Sequence, residues 1–251
     1  MDYPQARTLA DAIFPRFGSE GRLVALVRDL TLMFGFAAVV ALFAQIAIRL
    51  PWTTVPITGQ TFAVLVTGGA LGARRGAGCL TVYMLLGMLG VPVFAPGSGA
   101  TAGAWDVHFV LPWRGSEGYV WDISSGGYVV GFILAAALVG YLAERRWDRG
   151  PWVHVAMLLG NVALYVPGLL WLAYLLETDW IVPGAGKPLG ELISGSGTLD
   201  KTLTGGLYPF IVGDLMKLLL AAMVLPSAWL LVDRLKGRRD STMPTSSEGQ
   251  A

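Results

Sequence analysis

The stretch YPFIVGDLMKLLLAAMVL (Tyr208–Leu225) is almost wholly apolar, yet it holds Asp214 and Lys217 three residues apart. On a helix, a spacing of i to i+3 places both side chains on one face. A charged group inside a bilayer costs roughly 3 kcal/mol on insertion scales, so such a pair must face the protein interior or a water-filled cavity. The alternative is a self-neutralising bridge that only pins its helix. Lys217 lies too deep in the run to reach the far boundary easily, which favours a site.

The rest of the chain fits a membrane reading. Of its 251 residues 54% are hydrophobic and 14% charged, against about 25% charged in an ordinary soluble domain. A helix needs roughly 20 residues to cross the hydrocarbon core. Six apolar stretches qualify: Thr31–Leu50, Ile57–Ala73, Gly76–Phe94, Gly127–Ala143, Trp152–Leu176 and Leu207–Val232. The predicted fold is therefore an all-α integral membrane protein, a six-transmembrane-helix bundle. It divides into an N-terminal segment (1–29), a membrane domain (30–233) with long loops at 95–126 and 177–206, and a polar tail (234–251).

Positive charge orients the bundle. Thirteen lysines and arginines fall before the first span, after the sixth, or in the links 2–3 and 4–5, while Arg49, Arg114, Lys187 and Lys201 lie on the other side. Both termini are thus predicted to be cytoplasmic and both long loops external. The first residues have no apolar core of a signal peptide and read as a cytoplasmic tail.

Counted from Leu207 at 1.5 Å per residue, Asp214 lies about 10 Å and Lys217 about 15 Å below the outer boundary. Asn161, counted from the opposite side, reaches a similar depth. Its amide offers donors and an acceptor, although an intramembrane Asn can equally be helix–helix glue. Tyr165 follows on the same helix. Gln60 (in VPITGQT), Phe94 (in GVPVFAPGSG) and Tyr128 (in GGYVVGF) stand at the outer helix ends. Together these residues describe an outward-opening chamber with apolar walls and a few polar groups, the usual form of a small-molecule site.

Several classes are excluded or unsupported. The net charge of +1 argues against a nucleic-acid partner. The single cysteine, Cys79, excludes an intrachain disulfide. His108 and His154 fall on opposite sides of the predicted membrane, and no HExxH, GxSxG or GxxxxGK[ST] occurs. No catalytic residue, metal site or cofactor is expected, and ATP-driven transport would need a partner.

VPITGQTFAVLVTGGALGARRGAGCLTVYMLLGMLGVPVFAPGSG (Val55–Gly99), GGYVVGFILAA (Gly126–Ala136) and YPFIVGDLMKLLLAA (Tyr208–Ala222) resemble the BioY family, the biotin-binding S components of energy-coupling factor (ECF) transporters. The resemblance implies biotin uptake across the cytoplasmic membrane of a bacterium. The implied partners are an ECF transmembrane coupling subunit and two ABC-type ATPases. It places G-D-x-x-K in the biotin site: Lys217 would meet the valerate carboxylate, Asp214 a ureido N–H and Asn161 the rest of the ureido group. Tyr83, Phe94 and Tyr128 would hold the thiophane ring. S components dock through small residues of the first helix, here Ala37-x-x-x-Ala41. Three departures stand out: an expanded 100–125 segment, an expanded segment before YPF, and Gly59 where a bulkier residue is expected. The alternatives are an S component for another vitamin or a proton-coupled secondary transporter using Asp214.

Overall fold

In the computed structural model, residues 7–14, 21–97, 105–183 and 185–241 are described. The chain is mostly helical. A short helix α1 (Leu9–Ile13) precedes α2 (Arg22–Ala44), α3 (Gln60–Leu71), α4 (Ala73–Met88), α5 (Gly126–Ala143) and α6 (Val153–Glu177). Then come α7 (Leu189–Leu192), α8 (Thr198–Gly206) and the long α9 (Ile211–Ser241). Among the described residues four helices, α2, α5, α6 and α9, are long and apolar enough to cross a membrane.

The second and third predicted spans are shorter than expected. Helix α3 has 12 residues and α4 has 16, about 18 and 24 Å at helical rise. They break at Gly72, whose φ of 84° ends α3. A Cβ there would stand 2.6 Å from the Glu144 carboxylate and 2.8 Å from Thr8. Glu144 uses the opening to accept from the Ala73 amide at 2.9 Å, a carboxylate at a helix N-terminus.

Helix α5 is central. Of its apolar window 67% is buried, against 11–33% for the other three long helices. Its small residues permit this. A Cβ on Gly131 would lie 2.4 Å from the Leu164 carbonyl oxygen, and one on Gly140 would lie 2.3 Å from the Gly72 backbone. Backbone-to-backbone contact of this kind is how helices associate where apolar burial gives no net drive.

The fold is not purely helical. The first predicted span was drawn to Leu50, but α2 ends at Ala44 and Ala47–Arg49 forms strand β1. Strand β2 (Ile57–Thr58) pairs with it antiparallel, as does β3 (Asp106–His108), in the order β2-β1-β3. Ile46 and Ile48 favour extended backbone, and Pro51 and Pro56 bar a continuing helix. Arg49 and Asp106, opposite each other in the ladder, approach to 3.5 Å. The sheet covers one end of the bundle.

Glycine at position 59 also has a local cause. A Cβ there would stand 2.9 Å from both the backbone oxygen and the ring of Phe43, so the close crossing of α2 and β2 leaves no room for the bulkier residue expected.

At the opposite end, the N-terminal segment holds α1. Its Leu9, Ala10 and Ala12 are buried, and Asp11 pairs with Arg75 at 2.6 Å. Nearby, Trp229 donates its Nε1–H to the buried Asp148 carboxylate, while the Arg149 guanidinium lies 3.3 Å over the Trp229 ring centre.

Ala37 and Ala41 are 1% and 4% exposed and belong to the core cluster beneath α2. Both also border an open apolar depression of the surface, together with Phe34, Leu86 and Trp113. Phe34, Val39 and Leu42 of α2 are exposed around them.

Candidate functional site

Helix α9 begins at Ile211, not at Leu207, because residues 207–210 form a turn. Asp214 therefore sits in the first turn of the helix, and Lys217 one turn further. A carboxylate there lies in the favourable field of the helix N-terminus, which the depth count from Leu207 did not include.

The Asp214 side chain is 4% exposed and its hydrogen bonds are numerous. Lys217 Nζ donates to Oδ1 at 2.7 Å and Thr61 Oγ1 to the same oxygen at 3.3 Å. Tyr165 Oη donates to Oδ2 at 2.6 Å. Removing one partner of such a buried pair typically costs about 3–5 kcal/mol. Lys217 uses one of its three N–H groups on Asp214 among the described contacts, so its ammonium brings further donor capacity to the site.

The pair forms one wall of a cavity. Gln60, Tyr83, Phe94 and Tyr128 line it too. Each is fixed from behind. Gln60 donates from Nε2 to Tyr83 Oη at 2.7 Å and accepts from Thr58 Oγ1 at 3.0 Å. Tyr83 donates onward to the Val93 carbonyl at 3.0 Å. Phe94 stands edge-on to Tyr83, ring centres 5.6 Å apart. It lies directly over Gly87, where a Cβ would meet its ring at 2.2 Å. Tyr128 donates to the Gly206 carbonyl at 2.7 Å, which ties the cavity wall to α8. The long 177–206 segment thereby reaches the site.

Six of the seven sequence-predicted binding residues thus share one cavity: Asp214, Lys217, Gln60, Tyr83, Phe94 and Tyr128. Asn161 is absent from its lining. Its Oδ1 is buried with no hydrogen-bond partner among the described residues. One helical turn along α6, Tyr165 occupies the place beside Asp214. Thr61, Ser125 and Phe210 also line the cavity and were not singled out from the sequence. Phe210 was legible in principle, since it precedes Asp214 by four residues and accepts its backbone N–H at 2.7 Å. Among the described residues no cluster of three or more His, Cys, Asp or Glu could hold a metal ion.

The chemistry of the cavity is specific. It offers a cation, a multiply hydrogen-bonded anion, an amide and tyrosine hydroxyls on an aromatic lining. This suits a neutral or anionic ligand that has both a hydrogen-bonding head and an apolar body.

The sequence pattern of the BioY family matches residues 15–106 and 110–234. A protein of Rhizobium etli named biotin transporter BioY is 32% identical over 206 residues, 78% of this chain and 90% of that protein. A probable biotin transporter BioY of Pyrococcus horikoshii is 28% identical over 84% of this chain and 97% of that protein. The biotin transporter BioY of Rhodobacter capsulatus is 32% identical over 78% of this chain and 90% of that protein. These relatives are transporters, not enzymes. In fold, the chain is similar to a crystal structure of the S-component for biotin from an ECF-type ABC transporter. The TM-score is 0.60 at 18% identity, covering 83% of this chain and 94% of that one. With one pattern running nearly from end to end and full-length relatives at this identity, the chain belongs to the BioY family.

Proposed function

We propose that this protein binds biotin in the Asp214–Lys217 cavity and mediates its uptake across a bacterial cytoplasmic membrane, as the S component of an ECF transporter. The observation that carries the reading is the buried, hydrogen-bonded acid–base pair on the wall of an aromatic cavity, in a chain of this family. The Lys217 ammonium, held 2.7 Å from Asp214, brings its remaining N–H donors to the polar end of the ligand. Asp214, held by Thr61 and Tyr165, accepts from a ureido N–H. Tyr83, Phe94 and Tyr128 pack on the thiophane ring and chain, and Gln60 borders the polar end.

In this reading α2, α3, α4, α5, α6 and α9 cross the bilayer, α3 and α4 as a short pair. Both termini are cytoplasmic and the sheet end faces outward. The distribution of lysine and arginine supports that orientation. Inward delivery draws on an ECF coupling subunit and two ABC-type ATPases.

The test is uptake of radiolabelled biotin by cells that lack their own transporter. Accumulation that requires the co-expressed ECF module and survives a protonophore supports the proposal. Accumulation that collapses with the proton gradient and ignores the module would support a proton-coupled carrier instead. Uptake of a different vitamin in place of biotin would overturn the ligand assignment.

A further inference from the structure

The expanded segment after α4 carries a strand whose pattern is inverted. Trp105, Val107, Phe109 and Leu111 are each 66–79% exposed. Within β3 the residues between them turn the other way: Asp106 pairs with Arg49 at 3.5 Å, and His108 is buried. A sheet with one face in water keeps polar side chains outside and apolar ones inside. Here the outer row is apolar and the inner row holds an ion pair and a histidine. Apolar-out and polar-in is the alternation of strands that meet lipid. Ile48 of β1, opposite Val107 in the ladder, extends the apolar row to a second strand.

The row is continuous with the exposed flanks of two long apolar helices. Trp113, at the end of the strip, borders one open depression with Phe34 and Leu42 of α2. Ile48 borders another with Leu220 and Val224 of α9. At 1.5 Å per residue, Leu220 lies about 14 Å along α9 from its start at Ile211, so the sheet stands beside that helix rather than beyond its end. The depth has an upper limit as well. In the order β2-β1-β3, β3 is an edge strand, and one side of its backbone has no ladder partner. Unpaired backbone groups are not tolerated against lipid in the hydrocarbon core. At its boundary, water and headgroups satisfy them, and tryptophan favours the same level.

We infer that residues 105–113 lie in the lipid–water boundary at the sheet end of the bundle, with Trp105, Val107, Phe109 and Leu111 set among the upper acyl chains. The partner is the bilayer surface itself. This rests on α2 and α9 spanning the membrane, as proposed above, and not on the identity of the ligand. The strip is joined to the binding cavity. Trp113 Nε1 donates to the Pro92 carbonyl at 2.8 Å. Ser116 and Phe94 exchange both backbone hydrogen bonds, at 2.9 and 3.1 Å, and Phe94 lines the cavity. Lipid contact thereby steadies the wall that carries Phe94.

The test uses full-length protein in phosphatidylcholine nanodiscs, with Cys79→Ala removing the native cysteine. Single cysteines introduced as Val107→Cys, Leu111→Cys, Phe34→Cys and Glu191→Cys, all at exposed positions, carry the environment-sensitive dye NBD. Each labelled variant is taken from the fraction that elutes with the unmodified protein. The labels at 107 and 111 should emit to the blue of the label at 191 and resist quenching by iodide. They should lose more emission to lipid brominated near the head of the acyl chain than to lipid brominated near its end. The label at 34, midway along α2, should show the reverse order.

Labels at 107 and 111 that iodide reaches and brominated lipid does not would put the strip in water. Labels shielded from both quenchers would put it against protein, a second copy of this chain included. Either result, with the label at 34 quenched by lipid, overturns the inference and leaves the spanning bundle intact. A label at 34 that no brominated lipid quenches would instead overturn the spanning of α2, and this inference with it.

Discussion

Tyr165→Phe removes one hydroxyl and nothing else. The ring keeps its edge contact with Tyr128, centres 5.9 Å apart at 87°, so the cavity wall persists. What is lost is the 2.6 Å donor to Asp214 Oδ2. Lys217 and Thr61 both donate to Oδ1, so neither replaces it without turning the carboxylate. Hydrogen bonds to a charged group contribute about 1.5–3 kcal/mol, and 1.4 kcal/mol is a factor of ten in affinity. If the carboxylate must hold its orientation to accept from the ligand, biotin Kd should rise about tenfold, and by more than a hundredfold at the upper limit. Titration calorimetry on Tyr165→Phe, Asp214→Asn and the double variant measures this directly. Residues sharing a hydrogen bond should couple, with about 1 kcal/mol or more of non-additivity. An affinity for Tyr165→Phe within twofold of the unmodified protein, or strict additivity of the two changes, would show that Tyr165 does not hold the Asp214 carboxylate for the ligand.

Other outcomes follow from the same geometry. Gly131→Ala should destabilise the protein by about 1–3 kcal/mol, because its Cβ would lie 2.4 Å from the Leu164 carbonyl oxygen and must part α5 from α6. An unchanged thermal midpoint would contradict that contact. Tyr83→Phe should cost about 1–2 kcal/mol in thermal unfolding, by unpairing Gln60 and the Val93 carbonyl; no loss would mean those bonds are not maintained. In the α5–α6 link, burial foremost raises the Asp148 carboxyl above its ordinary range, and the Trp229 N–H and Arg149 only partly oppose this. A raised carboxyl favours the protonated form in the folded state, so its contribution to stability is largest at low pH and is lost as pH rises through the shifted value. Asp148→Asn, which keeps an acceptor for Trp229, should therefore be tolerated at neutral pH. Asp148→Ala should cost about 1–3 kcal/mol, since it leaves that indole N–H unpaired. Equal losses from both substitutions would show that the acceptor does not matter.

The site was more legible than the frame around it. Asp214 and Lys217 stood out because charge inside an apolar run is costly and needs an interior reason. Gln60, Phe94 and Tyr128 could be grouped because they cluster at helix ends on one predicted side. Asn161 was placed by depth alone. Depth does not fix the rotation of a helix about its axis, and Tyr165, one turn on, took the position beside the acid. The Ala37-x-x-x-Ala41 spacing marks a close helix approach without naming the helix that makes it; both residues join the core and border an open depression of the surface. The small sheet was missed because β2 has two residues and β1 and β3 three each, too short for period-two alternation to register. The docked α1 was missed because five residues carry too little periodicity to separate from a polar tail.

In the function proposed above, the Asp214–Lys217 pair forms the polar part of a biotin site. Equilibrium binding of radiolabelled biotin to the purified protein, beside Lys217→Ala and Asp214→Ala, tests it most directly. Saturable binding is expected in the unmodified protein, and at least a tenfold loss in each variant, with the variants recovered as folded protein. Binding retained within twofold in both variants would contradict it.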